Sequence, residues 1–290
     1  MYSICHKTLI HKLYHLGIRH TALNWIESYL QERRQYVEVT NHSHNFINKI
    51  SSPFQNIKFG VPQGSILGPL LFICYTYDIK NDNLESNRKQ MIMYADDITL
   101  KISRNTQEEL EDTANTEISD IHQFLCENNL FINAEKTKVI AFSTKQNTNK
   151  ITPDVKIDNK ILKQENNIPY LGLIFDENLN WNLQIEKILS KINSGIYALQ
   201  KMSYLCSMNS LKSIYYSHIH SHITYGITVY GNTSNENLKK ILKIQKKAIR
   251  IMLHLKEDES VKLYFKSLNI LTVFGQFIYE TIIFAKSEPN

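Results

Sequence analysis

The chain has 290 residues, enough for one large domain or two modest ones, and its 42% hydrophobic and 21% charged residues with only 9 Gly and 6 Pro are the composition of a globular protein. No run approaches the roughly 20 apolar residues that span a bilayer, the N-terminus has no secretory pattern, and four cysteines far apart (Cys5, Cys74, Cys126, Cys206) fit neither a zinc site nor a disulfide framework, which points to a reducing compartment. The net charge of +5 is uneven: residues 183–290 hold 14 Lys/Arg against 7 Asp/Glu, whereas residues 1–182 hold 19 against 21, a balance that suits a metal centre beside a nucleic-acid surface and suits many unrelated proteins too.

Residues 6–31 read as two helices. Leu9, Leu13 and Leu16 share a face, Gly17 ends the first, and Thr21 opens the second, which runs through Trp25 and Tyr29. Residues 35–40 read as a strand and 42–58 as polar and irregular. After the Pro/Gly-rich stretch 60–69, a buried helix is expected. Residues 91–95 are continuously apolar, the pattern of a strand buried on both faces, and Ile98, Leu100 and Ile102 alternate with polar residues as in a half-buried strand. Asn105 or Thr106 starts an acidic helix, 106–128, with Leu110, Ile118, Ile121 and Leu125 inward. Residues 130–142 resemble a strand pair around a turn, and Val155–Leu162 a hairpin. Beyond Trp181 the chain is helical to its end, without internal repeats.

Asp96 and Asp97 stand between the two strand-like runs, where a tight hairpin favours Asn-Gly or Asp-Gly. Adjacent carboxylates repel by about 4 kcal/mol at 4 Å in a partly screened site. A divalent cation offsets that repulsion, since Mg²⁺ takes a few carboxylate oxygens together with substrate phosphates. An exposed turn, where Asp is common, is the plainer alternative.

Residues 60–72 read Gly-Val-Pro-Gln-Gly-Ser-Ile-Leu-Gly-Pro-Leu-Leu-Phe, and residues 94–97 read Tyr-Ala-Asp-Asp. In that order and spacing they resemble the reverse transcriptases of non-LTR retrotransposons, closest to the jockey-like elements. Asn128–Lys138 is similar to the family's next motif and Tyr170–Trp181 to its primer grip, so the resemblance runs from residue 1 to about residue 285. It implies an α+β right-hand polymerase palm with primer grip over residues 1–182, followed by a helical thumb and further helices over 183–290. It implies RNA-directed DNA polymerase activity with Asp96 and Asp97 on catalytic Mg²⁺ (or Mn²⁺), an RNA template, a DNA primer and deoxynucleoside triphosphates as partners, and an intracellular setting in nucleus or cytoplasm. It puts Gln63 and Gly64 against template-primer and nucleotide, with Ser65 beside them. It puts Lys136 near the triphosphate, and Tyr170, Leu171 and Gly172 on the primer. Read from the residues alone, Gly64 and Gly68 permit close backbone approach, Ser65 can cap the helix that follows, and a lone Lys such as Lys136 is usually a solvated turn residue.

Residues 238–253 form a basic amphipathic helix. Leu238, Ile241, Leu242, Gln245, Ala248, Ile249 and Met252 follow helical spacing, and Lys239, Lys243, Lys246, Lys247 and Arg250 cover the other side with no acid among them. Contact with the phosphates of a primer-template duplex and a merely solvated face are both open.

Two departures from the family pattern stand out. Tyr77 occupies a position where the family usually has Asn. In the register set by His6-Lys7-Thr8-Leu9, Tyr2 occupies the position of the family's first catalytic Asp, and no acid precedes Glu27. A phenol, with a pKa of about 10, cannot replace a carboxylate on Mg²⁺ at neutral pH. The expectation is therefore a palm lacking its first catalytic strand, N-terminally truncated and weakly active or inactive. The alternatives are a non-catalytic nucleic-acid-binding remnant and a fragment that does not fold stably.

Overall fold

A computed structural model describes residues 4–43, 46–62, 64–79, 88–146 and 151–287; Tyr2 and Gln63 lie outside them. The chain is mixed helix and sheet and divides into two compact units, Met1–Val139 with Ile151–Lys163, and Ile140–Lys150 with Gln164–Asn290.

In the first unit, helices His6–His15, His20–Leu30 and Leu67–Thr76 share a core of Ile4, Leu9, Leu13, Leu30, Leu71, Phe72 and Tyr75. The first helix stops at Gly17 as expected, with Gly17 N–H on Tyr14 O (3.1 Å) and Ile18 N–H on Leu13 O (3.0 Å). Its buried face differs from the expected one: Leu16 is exposed at the helix end, and Lys12 is buried between Leu9 and Leu13. The Lys12 ammonium donates to Tyr75 O (2.7 Å) and Asp78 Oδ1 (2.6 Å), and the Tyr75 hydroxyl donates to Asn128 O (2.6 Å). Lys12 enters the core because its charge is met there.

Residues 46–51, expected to be irregular, form a strand that pairs with Glu38–Ser43 in an antiparallel ribbon. Val39 and Ile50 pair across it and both remain exposed. Residues 38–41 and 48–51 are exposed on both faces, and strands so placed have no need of alternating hydrophobicity, so they left no period-2 signal.

Strands Lys89–Tyr94 and Asp97–Ile102 form the expected hairpin. Met91, Met93, Ile98 and Leu100 pack with Ile121 and Leu125 of helix Gln107–Glu127. The opposite face is open, with Ile92 40% and Tyr94 64% exposed, so the continuous apolar run is not a strand buried on both faces. Among the described residues every sheet is two-stranded. The helix has the expected bounds and is capped by Thr106, whose hydroxyl accepts Glu109 N–H (3.2 Å). The expected hairpin at 155–162 is present, Lys156–Ile157 against Lys160–Ile161, and Val155, Ile157 and Leu162 pack on Ala114 of the same helix. Between them, residues 130–137 form a turn with only Lys138–Val139 extended, rather than a strand pair.

The second unit is a hairpin, Asn167–Tyr170 with Leu173–Asp176, backed by helices. Asp176 organises the exit: its carboxylate accepts Asn178 N–H (3.2 Å), Asn180 N–H (2.9 Å) and Trp181 N–H (2.8 Å). Helix Asn182–Met202 packs against helix Asn235–Leu253 through Ile185, Ile188, Ile192, Leu238, Ile241 and Ile249. At the centre Gln245, 1% exposed, donates to the Tyr215 hydroxyl (3.0 Å) and Leu271 O (3.2 Å) and accepts Val273 N–H (2.8 Å). Among the described residues no helix is long and apolar enough to cross a membrane.

Candidate functional site

The carboxylate pair sits at the tip of the 89–102 hairpin, one residue out of the register expected for the turn. Tyr94 pairs with Asp97, so the two turn residues are Ala95 and Asp96, and Asp97 begins the returning strand. Ala95 takes φ 53°, a left-handed conformation that costs a residue with a Cβ of order 1–3 kcal/mol. Strain of this kind persists only where surrounding structure holds it, and the five cross-strand pairs from Met93–Ile98 back to Lys89–Ile102 do so here. Asp97 shares the open face of the hairpin with Tyr94, Ile92 and Thr99, and both carboxylates are exposed. Two hard oxygen donors fit Mg²⁺, which is commonly held by one or two carboxylates with water and substrate phosphate completing the shell. Among the described residues no group of three or more His, Cys, Asp or Glu side chains converges to hold a metal by itself.

The Gly-Ser loop precedes helix Leu67–Thr76. Residues 4–6 hold its start: Gly60 N–H donates to Ile4 O (2.7 Å), His6 Nε2 lies 2.7 Å from Gly60 O, and Cys5 bridges to Phe59. Gly64 has φ 77° with open space where a side chain would stand, so backbone geometry and not crowding calls for glycine. The Ser65 hydroxyl accepts Gly68 N–H (3.1 Å) and caps the helix as expected.

Lys136 stands on an Asx turn. Asn133 Oδ1 accepts Glu135 N–H (3.1 Å) and Lys136 N–H (3.2 Å), and Asn133 O accepts Thr137 N–H (3.0 Å), which leaves the Lys136 side chain exposed.

In the second unit, Leu171 and Gly172 are the two-residue turn of the hairpin, with φ 43° and 84° as a type I′ turn demands. The turn is clamped from outside the motif. The Tyr225 hydroxyl donates to Leu171 O (2.6 Å), the Lys187 ammonium donates to Gly172 O (2.6 Å), and a Cβ on Gly172 would lie 3.0 Å from the Tyr225 ring. Tyr170 packs edge-on against Phe175, and Phe175 against the buried Trp181. Neither Tyr225 nor Lys187 stands out in the sequence, because a lone Tyr and a lone helical Lys carry no spacing signal.

Helix Asn235–Leu253 buries Leu238, Ile241, Gln245, Ala248, Ile249 and Met252 of the expected row, and leaves Leu242 half-buried. Lys239, Lys243, Lys246 and Lys247 are exposed on the other side. Arg250 differs from them: its guanidinium donates twice to Glu259 O (3.1 and 3.0 Å) and ties down the turn after the helix.

The profile of the reverse transcriptase (RNA-dependent DNA polymerase) family matches residues 2–175. Among curated proteins the chain is similar to a probable RNA-directed DNA polymerase from transposon X-element of Drosophila melanogaster, at 25% identity over 83% of this chain and 27% of that protein. It is similar to the RNA-directed DNA polymerase from mobile element jockey of Drosophila funebris, at 29% identity over 67% of this chain and 22% of that protein. The jockey polymerase of Drosophila melanogaster gives 27% identity over 78% and 24%. The chain thus spans about a quarter of the length of these relatives. With more than half its residues inside the family profile and with jockey and X-element polymerases as its relatives, the chain belongs to the reverse transcriptase family, in its jockey-like non-LTR branch.

Proposed function

We propose that residues 1–182 act as a polymerase palm with its primer grip and residues 183–290 as the thumb and following helices of an RNA-directed DNA polymerase that copies retrotransposon RNA inside the cell. The observation that carries this is the Tyr94–Asp97 hairpin tip, which presents two exposed carboxylates in a chain of the reverse transcriptase family. Asp96 holds the metal and Asp97 supports it. Asp96 and Asp97 would hold Mg²⁺, or Mn²⁺ in its place, which would supply charge neutralisation for the 3′-hydroxyl and the triphosphate. Lys136 offers a cation to the triphosphate. Gln63, Gly64 and Ser65 line template and nucleotide, and Gly64 lets the backbone come close. Tyr170, Leu171 and Gly172 bear on the primer, on a turn kept rigid by Tyr225 and Lys187. Positioning and charge are nearly all that phosphoryl transfer asks of a protein.

Tyr2 stands where the resemblance calls for a third carboxylate. Synthesis by this chain alone is therefore weak. This same substitution, with the exposed lysine row on helix Asn235–Leu253, favours a second reading as a nucleic-acid-binding protein without catalysis. Primer extension on an RNA template with Mg²⁺ and with Mn²⁺, alongside Mn²⁺ binding followed by electron paramagnetic resonance, separates the two. Weak extension and Mn²⁺ binding that both vanish in Asp96→Asn support the polymerase. Salt-dependent binding of RNA–DNA hybrid with no extension and no Mn²⁺ site supports the second reading. Extension unaffected by Asp96→Asn removes the hairpin from the chemistry.

A further inference from the structure

Helix Gln107–Glu127 carries His122 and Cys126 one turn apart, and polymerisation has no use for either. Cys126 Sγ lies 3.4 Å from His122 Nε2, and His122 Nδ1 lies 3.3 Å from Asp158 Oδ1. A carboxylate beside Nδ1 favours the tautomer that keeps the proton on Nδ1, in which the Nε2 lone pair faces the thiol. We propose that Cys126 is a reactive thiol, activated by His122 and oriented through Asp158, that takes up low-molecular-weight disulfides and other soft electrophiles.

The third member is built in, although it comes from a different element. Asp158 and Asn159 form a two-residue turn with φ 49° and 64°, between Lys156–Ile157 and Lys160–Ile161. That hairpin is fixed to the helix two turns before His122: Asn115 Oδ1 accepts Lys156 N–H (2.8 Å) and Asn115 Nδ2 donates to Asp154 O (3.0 Å). Val155, Ile157 and Leu162 seal the contact against Ala114. Lys160 pairs with Glu135 (3.5 Å), and Glu127 accepts from Gln123 (2.9 Å). Cys126 itself is exposed, so an electrophile reaches it without opening the fold.

The step balances. The Cys126 proton passes to His122 Nε2, and the thiolate sulfur attacks one sulfur of the incoming disulfide. A new S–S bond forms as the old one breaks, and the departing thiolate leaves with the proton. The Cys126 sulfur is oxidised and the departing sulfur is reduced. The chain contains its own competitors. The Cys5 thiol ionises more readily than usual because the Thr8 backbone N–H bonds to it, whereas burial holds the Cys74 thiol in its protonated form. Cys206 is half-buried with no activating neighbour of this kind among the described residues.

Peptide mass spectrometry of the full chain, after timed exposure to iodoacetamide and separately to oxidised glutathione, reads all four cysteines at once. At pH 7 Cys126 should label fastest, and His122→Gln should slow it about tenfold, since an unassisted thiol is only a few per cent thiolate there. Asp158→Asn should slow it less. Near pH 9.5, where hydroxide in solution can stand in for the imidazole, the wild-type and His122→Gln rates should converge. Asp158 is exposed and His122 half-buried on a well-packed helix and hairpin, so both variants should fold, and circular dichroism checks that they do. The proposal is overturned if Cys5 or Cys206 outpaces Cys126 at pH 7, if His122→Gln leaves the rate unchanged, or if it slows Cys126 equally at both pH values.

Discussion

The Tyr225 hydroxyl bonds the Leu171 carbonyl at 2.6 Å, across 54 residues of sequence, and holds a two-residue turn whose first member is a leucine at φ 43°. Leucine at positive φ is unfavourable, so the turn needs an external hold. Tyr225→Phe keeps the ring against Gly172 and removes only the hydroxyl. It should cost about 1 kcal/mol of unfolding free energy, the net worth of one hydrogen bond. Gly172→Ala should cost more, about 1–3 kcal/mol, because its φ of 84° is strained for alanine and the new methyl meets the Tyr225 ring at 3.0 Å. Urea unfolding of the two variants checks the order; Gly172→Ala as stable as wild type would contradict the clamp.

The Lys12–Asp78 pair holds helix His6–His15 against helix Leu67–Thr76. Lys12 is nearly buried, while the Asp78 side chain is 41% exposed, so solvent screens part of their attraction. Lys12→Met should cost about 2 kcal/mol, most of it from the unpaired Tyr75 carbonyl and the lost ion-pair hydrogen bond. Asp78→Asn keeps an acceptor oxygen and should cost about half as much. Thermal unfolding ranks them, and the reverse order would mean that Asp78 is the partner that matters.

Long periodic elements were legible before the structure. Helix Gln107–Glu127 announced itself by Ile118, Ile121 and Leu125 with a Thr cap, and helix Asn235–Leu253 by an inward row of which all but Leu242 is buried. At the 89–102 hairpin the turn was legible in the sequence and its register was off by one. Local propensity puts Asp-Asp in the turn, whereas cross-strand packing of Met93 on Ile98 forces Ala95 into a conformation it disfavours. Packing of a whole face outweighs one strained residue. The ribbon strand Phe46–Ser51, the buried Lys12, and the clamp of Tyr225 and Lys187 on the 171–172 turn depend on partners far along the chain, and no local pattern encodes them.

Gln245, Tyr215 and Tyr230 give the second unit a pH signature. Burial pushes Tyr215 up to about 12, with the Gln245 hydrogen bond partly opposing the shift, and burial also raises Tyr230. An unfolded tyrosine loses its proton near pH 10. The folded state keeps these protons longer, so stability is whole below about pH 10 and falls as pH rises from there towards 12, by about 1.4 kcal/mol per pH unit per tyrosine. Tyr215→Phe should be about 1 kcal/mol less stable at pH 7, because the Gln245 amide loses an acceptor, yet show a shallower decline above pH 10. Gln245→Leu, which strands Val273 N–H and Leu271 O, should cost about 2–3 kcal/mol at pH 7. Denaturant unfolding at pH 7, 10 and 11 gives all three comparisons, and an alkaline slope unchanged in Tyr215→Phe would show that its burial does not control the titration.

The basic face of helix Asn235–Leu253 is a phosphate track or a solvated surface, and the structure sharpens how to tell. Arg250 is held by Glu259 O, so replacing it also loosens the turn that follows. Lys239, Lys243, Lys246 and Lys247 are exposed, while Leu238, Ile241, Ile249 and Met252 carry the packing from the opposite side. Changing those four lysines to Gln should leave the unfolding midpoint within experimental error, because surface substitutions of this kind stay within about 0.5 kcal/mol. Binding to a nucleic-acid duplex should weaken without any change in sequence preference. Each phosphate contact adds about −0.9 to the slope of log affinity against log salt on B-DNA, so losing two to four contacts flattens that slope by roughly 2–4. Adding Arg250→Gln should flatten it by less than one further contact if the guanidinium stays committed to Glu259 O. An unchanged slope and affinity in the four-lysine variant, with the fold intact, would assign the row to solvent and move the nucleic-acid surface elsewhere on the molecule.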